Sequence, residues 1–304
     1  MSEIYQTPAQ EEITRWTSAL RSDGYAIIPD ALTPHNIAAL SGDLAPIFDR
    51  TPFCSGDFYG PRTKRFGSLL RRSVHAETLV RHPLVLAITQ EILGRACDVL
   101  QLNLTQAIAI YPGAPRQYPH RDEDMWQGEK GHHEYLLNVI WPLTPFTADN
   151  GATQIHPDGE VQDDASAIIA ACEPGSAICF LGSTLHGAGA NRSGSVRQAV
   201  IVSYCLGWLK PYENQWLTYP PSVARHFSPE LAALVGYRQH RPNLGNYEGQ
   251  CPSILLEDTV PDHIGARDAL RPDQAEALAD FAAQQRAKIS SASVPNSRGP
   301  ASAR

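Results

Sequence analysis

A histidine and a carboxylate stand two residues apart in Gln117-Tyr-Pro-His120-Arg-Asp122, and a second histidine, His186, follows 66 residues after the first. In an extended segment, side chains at i and i+2 point to one face. The His120 imidazole and the Asp122 carboxylate can therefore reach one ion together. Two histidines and one carboxylate on one side of a metal leave three coordination positions open, the arrangement of non-haem Fe(II) sites. Eleven residues past His186, Arg197 opens a run in which Ala199, Ile201 and Ser203 share its face. A guanidinium placed inward needs an anion, because an unpaired buried charge is costly. A carboxylate meets its planar fork with two hydrogen bonds. That anion is either a protein Asp or Glu or a dicarboxylate taken from solution.

The tripeptide alone does not single out this pair. With 11 histidines and 17 aspartates in 304 residues, His-x-Asp arises readily by chance; His156-Pro-Asp158 is a second copy, beside His75-Ala-Glu77 and His132-His-Glu134. Context separates them. Pro157 and Gly159 place His156 in a turn, where residues two apart do not share a face. His75 leads into a helical stretch, where i and i+2 diverge. His132 sits in a loop between Gly128 and Glu134. Only His120 comes directly off a long strand and its turn. His186, in Leu185-His-Gly-Ala-Gly189, has small neighbours that leave room for an ion.

The elements that must hold these residues are legible. Helices are expected over Glu11 to Asp23, from Thr33-Pro34 through Ile47, over Pro83 to Gly94, and from Arg271 to Gln285, each with apolar residues at 3 and 4 spacing. Strands are expected at Tyr25 to Ile28, Val99 to Ile110, Glu134 to Leu143, Ala152 to Ile155, Gly175 to Phe180, Thr184 to Gly187 and Arg197 to Leu206. Short strands separated by glycine turns indicate a mainly β fold with flanking α-helices, a double-sheet jelly roll. One domain over residues 1–288 is expected, with a helical flank 10–98, a β core 99–209 and a C-terminal flank 210–288. Residues 289–304, rich in Ser, Pro, Ala and Arg, are expected to be disordered.

Between Thr51 and Arg72 the chain reads as irregular, with Arg62, Lys64, Arg65, Arg71 and Arg72. It is either a solvated loop or a substrate-side loop whose cations meet an anion. Phe53, Phe58, Tyr59, Trp126 and Trp208 suit an apolar substrate instead. The segment Met125 to His133 is placed to act as a lid or as a plain connection.

Composition narrows the partners. A chain of this length buries about three-quarters of its unfolded surface. A net charge of −7 gives no footprint for nucleic acid. Six cysteines without CxxC pairs read as buried free thiols of a reducing compartment. The first ten residues lack a signal-peptide pattern, and there is no apolar run of about 18 residues. The expectation is a cytoplasmic protein with a small-molecule substrate and no nucleic-acid or membrane partner; the pattern carries no signal of oligomeric state.

At these residues the chain resembles the phytanoyl-CoA dioxygenase family of Fe(II)- and 2-oxoglutarate-dependent oxygenases. The family pattern of His-x-Asp, a distant His, and an Arg eleven residues on is met by His120, Asp122, His186 and Arg197. Asp149-Asn-Gly-Ala-Thr153, Asp23-Gly-Tyr-Ala-Ile27, Gly207-Trp-Leu209 and Glu213-Asn-Gln215 are similar to further family segments. The resemblance spans about residues 12 to 250. It implies a double-stranded β-helix, iron held by His120, Asp122 and His186, and Arg197 on the distal carboxylate of 2-oxoglutarate. Gln117, Asn138 and Thr153 are implied as further polar contacts to that cosubstrate. Asn138 also stands out as the amide in the apolar run Leu136 to Trp141; the backbone is an equally good partner for it. The chemistry implied is hydroxylation of an aliphatic C–H bond by O2, with 2-oxoglutarate converted to succinate and CO2. Related halogenases carry a small residue in place of the carboxylate, so Asp122 disfavours halogenation. Two rivals are a cupin-like metal enzyme that uses no 2-oxoglutarate and a non-catalytic binding module on the same fold.

Overall fold

The computed structural model describes residues 7–157, 159 and 167–292. Helix α1 (Gln10–Asp23) ends at Gly24, whose N–H closes on Leu20 O at 3.0 Å, and β1 (Tyr25–Ile28) follows at once. Thr33 caps α2 (Pro34–Arg50), its hydroxyl accepting from Asn36 N at 3.2 Å, with Pro34 in the first turn. Then come β2 (Thr63–Phe66), α3 (Ala76–Val80), α4 (Pro83–Leu93) and β3 (Leu100–Ile110). The remaining strands are β4 (Leu136–Pro142), β5 (Thr153–His156), β6 (Ile168–Ile169), β7 (Ala177–Leu181), β8 (Leu185–Ala188) and β9 (Arg197–Leu206). The C-terminal flank carries α5 (Gln215–Thr218), α6 (Pro221–Ala224), α7 (Pro229–Leu234) and α8 (Pro272–Ala292).

Two antiparallel sheets face each other. The larger runs β1-β7-β4-β9-β3-β2 and the smaller β6-β5-β8. Alternation along the strands sorts the large sheet into two faces. Val139, Trp141, Cys179, Val200 and Val202 pack with Leu20, Leu40 and Ile88 in a core under the helices. Ile140, Ile178, Phe180 and Ala199 point the other way and pack with Ala152 and Ile155 of the opposite sheet. Burying an apolar side chain of this size contributes about 1.5–3 kcal/mol, so both cores hold the sheets in register. The two sheets form the jelly roll expected from the strand pattern, the double-stranded β-helix that the resemblance implies, but more residues lie in the flanking helices than in the strands, so the fold is mixed and not mainly β.

Several expectations are corrected. Thr63–Phe66, inside the stretch read as irregular, is a strand paired with β3 from Thr63↔Ile110 to Phe66↔Ala107. His156 is not in a turn: it ends β5, opposite Leu185, and is buried, with neither ring nitrogen bonded among the described residues. Its partner in that motif, Asp158, lies outside the described residues. The last helix runs to Ala292, past the expected start of the tail at 289, and residues 293–304 lie outside the described residues. All six cysteines are free, and burial pushes the Cys179 and Cys205 thiols up to about 12. No helix among the described residues is long and apolar enough to cross a membrane.

The Asn150-Gly151 turn leads into β5. Asn150 closes the preceding loop, accepting from Thr147 N at 2.9 Å and donating to Pro145 O at 2.7 Å. Gly151 has φ +83°, and a Cβ there would lie 2.6 Å from Gly189 O. Both the left-handed conformation and the contact exclude a side chain. Gly151→Ala is expected to lower stability by about 2 kcal/mol or more in chemical denaturation.

Asp98, just before β3, ties down the C-terminal flank. Both carboxylate oxygens accept from Arg241 Nε, at 2.9 and 3.0 Å, and Arg241 N adds a third bond at 3.1 Å. The Arg241 hydrogen bonds hold the Asp98 carboxyl at about 2, below its ordinary 3.8. A depressed carboxyl stabilises fully above its unfolded value and loses that contribution as pH falls through its folded one. Melting temperatures are therefore expected to show an acid limb between about pH 4 and 2 that is shallower in Asp98→Asn, which should also melt lower at neutral pH.

Candidate metal centre

His120 and His186 lie directly opposite one another across two antiparallel segments. His120 N donates to His186 O at 2.9 Å and His186 N to His120 O at 3.0 Å. This reciprocal pair carries the rings on one side, with centroids 4.6 Å apart. Each Nδ1 is bonded to a carbonyl, Tyr118 O at 2.9 Å for His120 and Thr184 O at 3.0 Å for His186. A carbonyl only accepts, so Nδ1 carries the hydrogen and Nε2 keeps its lone pair. That tautomer is the one a metal requires.

Asp122 is placed differently from the sequence expectation. It begins a 3-10 turn, Asp122–Met125, and is not itself in a strand. The same-face argument still holds because the intervening Arg121 is extended (φ −108°, ψ 128°). Arg121 is anchored by Nε to Ser183 O at 3.0 Å and Nη2 to Gly159 O at 2.7 Å. The carboxylate lies 3.4 Å from His120 Nε2 through Oδ1 and 3.7 Å from His186 Nε2 through Oδ2. The three potential ligand atoms fall within 4.8 Å of one another. Burial opposes charge on Asp122, but His186, His120 and the Asn138 amide outweigh it and hold the carboxyl below its usual range. Burial lowers His186. His120 is also penalised by burial, but protonation at Nε2 lets the ring donate to the Asp122 carboxylate and meet its charge, which leaves it raised. An ionised carboxylate beside a neutral imidazole suits a divalent cation.

The small residues around His186 have another cause than room for an ion. Its ring packs on Phe180, centroids 4.4 Å apart. A Cβ on Gly187 would stand 3.3 Å from Gln117 O, so the glycine lets the chain carrying His120 come close.

Arg197 opens on the same cavity as the triad and is 4% exposed. Its Nη1 donates to Gly151 O at 2.5 Å and its Cζ lies 4.3 Å from the Phe146 ring centroid. Its Nε has no partner, and no carboxylate pairs with it among the described residues. Burial pulls the guanidinium down to about 9, with Arg65 adding to the effect, which leaves it cationic at neutral pH.

The other candidates divide. Gln117 and Thr153 line the cavity. Both ends of Gln117 already hold protein, Oε1 accepting from Ala188 N at 3.2 Å and Nε2 donating to Phe58 O at 3.4 Å. Asn138 lines the cavity but is committed to Asp122, donating to Oδ2 at 2.9 Å.

Arg65 was missed as a site residue. Of the five cations in its stretch, Arg62, Lys64, Arg71 and Arg72 donate to backbone carbonyls of Pro112, Phe48, Thr218 and Gly67. Arg65 instead reaches the cavity and bonds Gln106 Oε1 at 3.1 Å, and its buried Nε has no partner among the described residues. No local sequence signal sets Arg65 apart from those four; the strand pairing of Thr63–Phe66 with β3 places it at the cavity. Of the aromatic residues weighed, Phe58 and Tyr59 line the cavity together with Tyr212, whose hydroxyl contacts that of Tyr59.

A family model described as phytanoyl-CoA dioxygenase (PhyH) matches residues 20–199, more than half of the chain. The chain belongs to the phytanoyl-CoA dioxygenase family. It is thus an enzyme of the iron- and 2-oxoglutarate-dependent dioxygenase class. Dioxygenase FrzG of Cladobotryum sp is 30% identical over 262 residues, covering 74% of this chain and 84% of that protein. Dioxygenase trt7 of Aspergillus terreus is 29% identical over 235 residues, covering 72% and 82%. Among solved structures, the non-heme alpha ketoglutarate dependent epimerase SnoN from nogalamycin biosynthesis superposes with a TM-score of 0.56 at 16% identity, covering 67% of this chain and 87% of SnoN. HygX from Streptomyces hygroscopicus, solved with nickel, 2-oxoglutarate and hygromycin B, gives 0.52 at 12% identity, covering 68% and 90%. At these identities the two structures bear on the fold. The family match contains His120, Asp122, His186 and Arg197.

In this family member the segment that follows Asp122 is tied down by hydrogen bonds. Trp126 Nε1 donates to Lys210 O at 2.8 Å, Lys130 Nζ donates to Trp126 O at 2.8 Å and lies 4.4 Å from the Tyr135 ring centroid, and Tyr135 OH donates to Glu129 O at 2.6 Å. Trp126→Phe removes one such bond, worth about 1 kcal/mol. Amide exchange over residues 127–133 is expected to quicken roughly fivefold, with strand amides unchanged, in a hydrogen-exchange measurement.

Proposed function

We propose that this dioxygenase hydroxylates an aliphatic C–H bond of a small molecule, consuming O2 and 2-oxoglutarate and releasing succinate and CO2. His120, Asp122 and His186 hold Fe(II), and Arg197 binds the distal carboxylate of 2-oxoglutarate. The observation that carries this reading is Arg197: a buried guanidinium with an unpaired Nε, opening on the cavity of the triad, with no carboxylate partner among the described residues. Such a group is stable only if an anion completes it, and HygX is a protein of this fold solved with 2-oxoglutarate. Arg65 supplies a second cation at the cavity, so a doubly charged cosubstrate suits the pair. One catalytic domain, the 1–288 unit expected from the sequence, carries the activity on this reading; α1 and α4 pack against the large sheet and Glu213 of the C-terminal flank accepts from Ser68 and Thr105 N–H groups, which supports it.

The bound iron and cosubstrate supply the oxidising chemistry; the protein supplies position and dryness. The His120 and His186 rings are held by their Nδ1 bonds, and Ile108, Ile140, Phe180 and Ile201 line the cavity with apolar surface that excludes water. The rim formed by Phe58, Tyr59, Met125 and Tyr212 is the apolar surface available to the substrate.

Anaerobic addition of Fe(II) and 2-oxoglutarate to metal-free protein tests the assignment through the weak visible charge-transfer band of the chelate. Wild type is expected to develop the band and His186→Ala to lose it. Arg197→Ala is expected to need at least tenfold more 2-oxoglutarate, because hydrogen bonds to charged groups contribute about 1.5–3 kcal/mol. A wild type that binds Fe(II) without the band would reject 2-oxoglutarate as cosubstrate.

A further inference from the structure

Asn138 lies on the central strand β4, between residues that face the helix core. It is 1% exposed. Its Nδ2 donates to Asp122 Oδ2, and because an ionised carboxylate only accepts, the amide oxygen must point elsewhere. That oxygen is buried and has no partner among the described residues. Opposite Asn138 stand Phe180 on β7 and Ser203 on β9; Ser203 Oγ accepts from Asn103 Nδ2 at 3.0 Å and makes no bond to the Asn138 oxygen. A half-satisfied amide is unfavourable in a core strand, and an apolar residue of similar volume would continue the pattern of its neighbours. The arm that is bonded must therefore account for its presence.

That arm reaches the one member of the triad the sheet does not hold. The two histidines are fixed by their own backbone bridge, whereas Asp122 stands in a 3-10 turn. Asn138 Nδ2 is the link between its carboxylate and the large sheet.

We infer that Asn138 is a positioning residue of the metal centre, its N–H group holding the Asp122 carboxylate against the central strand so that all three ligands converge before a metal arrives. This rests on the metal-centre reading above. Partners that orient metal ligands in this way typically change affinity 10–100-fold when removed.

The test is a titration of metal-free protein with Co(II), read by its visible d–d absorption, together with thermal melting of the metal-free protein. Asn138→Leu is expected to weaken Co(II) binding 10–100-fold without lowering the metal-free melting temperature. In an Asp122→Ala background the same substitution is expected to change Co(II) affinity less than twofold, since the effect passes through the carboxylate. Asn138→Ala serves the same comparison if the leucine variant does not fold. Co(II) affinity unchanged in the Asn138 variants, or an equal loss with and without Asp122, would overturn the inference while leaving the metal centre standing. A wild type that takes up no Co(II) would overturn both.

Discussion

The pair of backbone hydrogen bonds between His120 and His186 is the constraint on which the centre depends. The two residues come from opposite ends of a 66-residue stretch, and neither ring position means anything without the other. A reciprocal N–H···O pair sets them opposite each other with the geometry of an antiparallel ladder. It demands that the two segments approach closely, which is why Gly187 follows His186 and cannot carry a side chain without crowding Gln117 O. The carbonyl bonds to Nδ1 then turn each ring and select its tautomer. Two histidines are thus arranged almost wholly by main chain, which leaves side-chain chemistry for the carboxylate and the cations.

The two faces of the large sheet divide the work. Trp141, Val200 and Val202 look toward the helices and are fully enclosed, while Arg197, Ile201 and Ile140 on the same strands look into the cavity. Most residues of β9 therefore contribute either to the core or to the site. The helices do not touch the reacting region, yet they cover the far face of its floor. Glu213, whose carboxyl is pushed up by burial, accepts from Ser68 and Thr105 N–H groups and seats the C-terminal flank near the bulge at Asn103.

Much of this was legible because it is periodic. Arg197–Leu206 forms the strand expected of it, with Ala199 and Ile201 on the inward side, and the caps at Gly24 and Thr33 stand where their residue types place them. What escaped was set by tertiary pairing. Thr63–Phe66 has too few residues to show alternation, and only β3 makes it a strand; with it went Arg65, indistinguishable in sequence from four cations that merely cap carbonyls. Asn138 was visible as an anomaly in an apolar run, but its partner is sixteen residues away in sequence on a turn, and no local rule reaches that far. His156 misled through Pro157, since the ladder to Leu185 continues up to the residue before the proline.

Arg197 is gripped at two points, by the Gly151 carbonyl and by the Phe146 ring, and it springs from a strand paired on both sides. The triad is held by neighbouring strands of the same β-helix. The span from guanidinium to histidines is therefore a fixed length and not a range of lengths. Under the proposed assignment, a pocket built this way would gauge its cosubstrate end to end, and a dicarboxylate one methylene shorter, with the same charge and the same groups, would meet the two ends less well. The rigidity that would spare Arg197 a loss of freedom on binding would also make it a ruler.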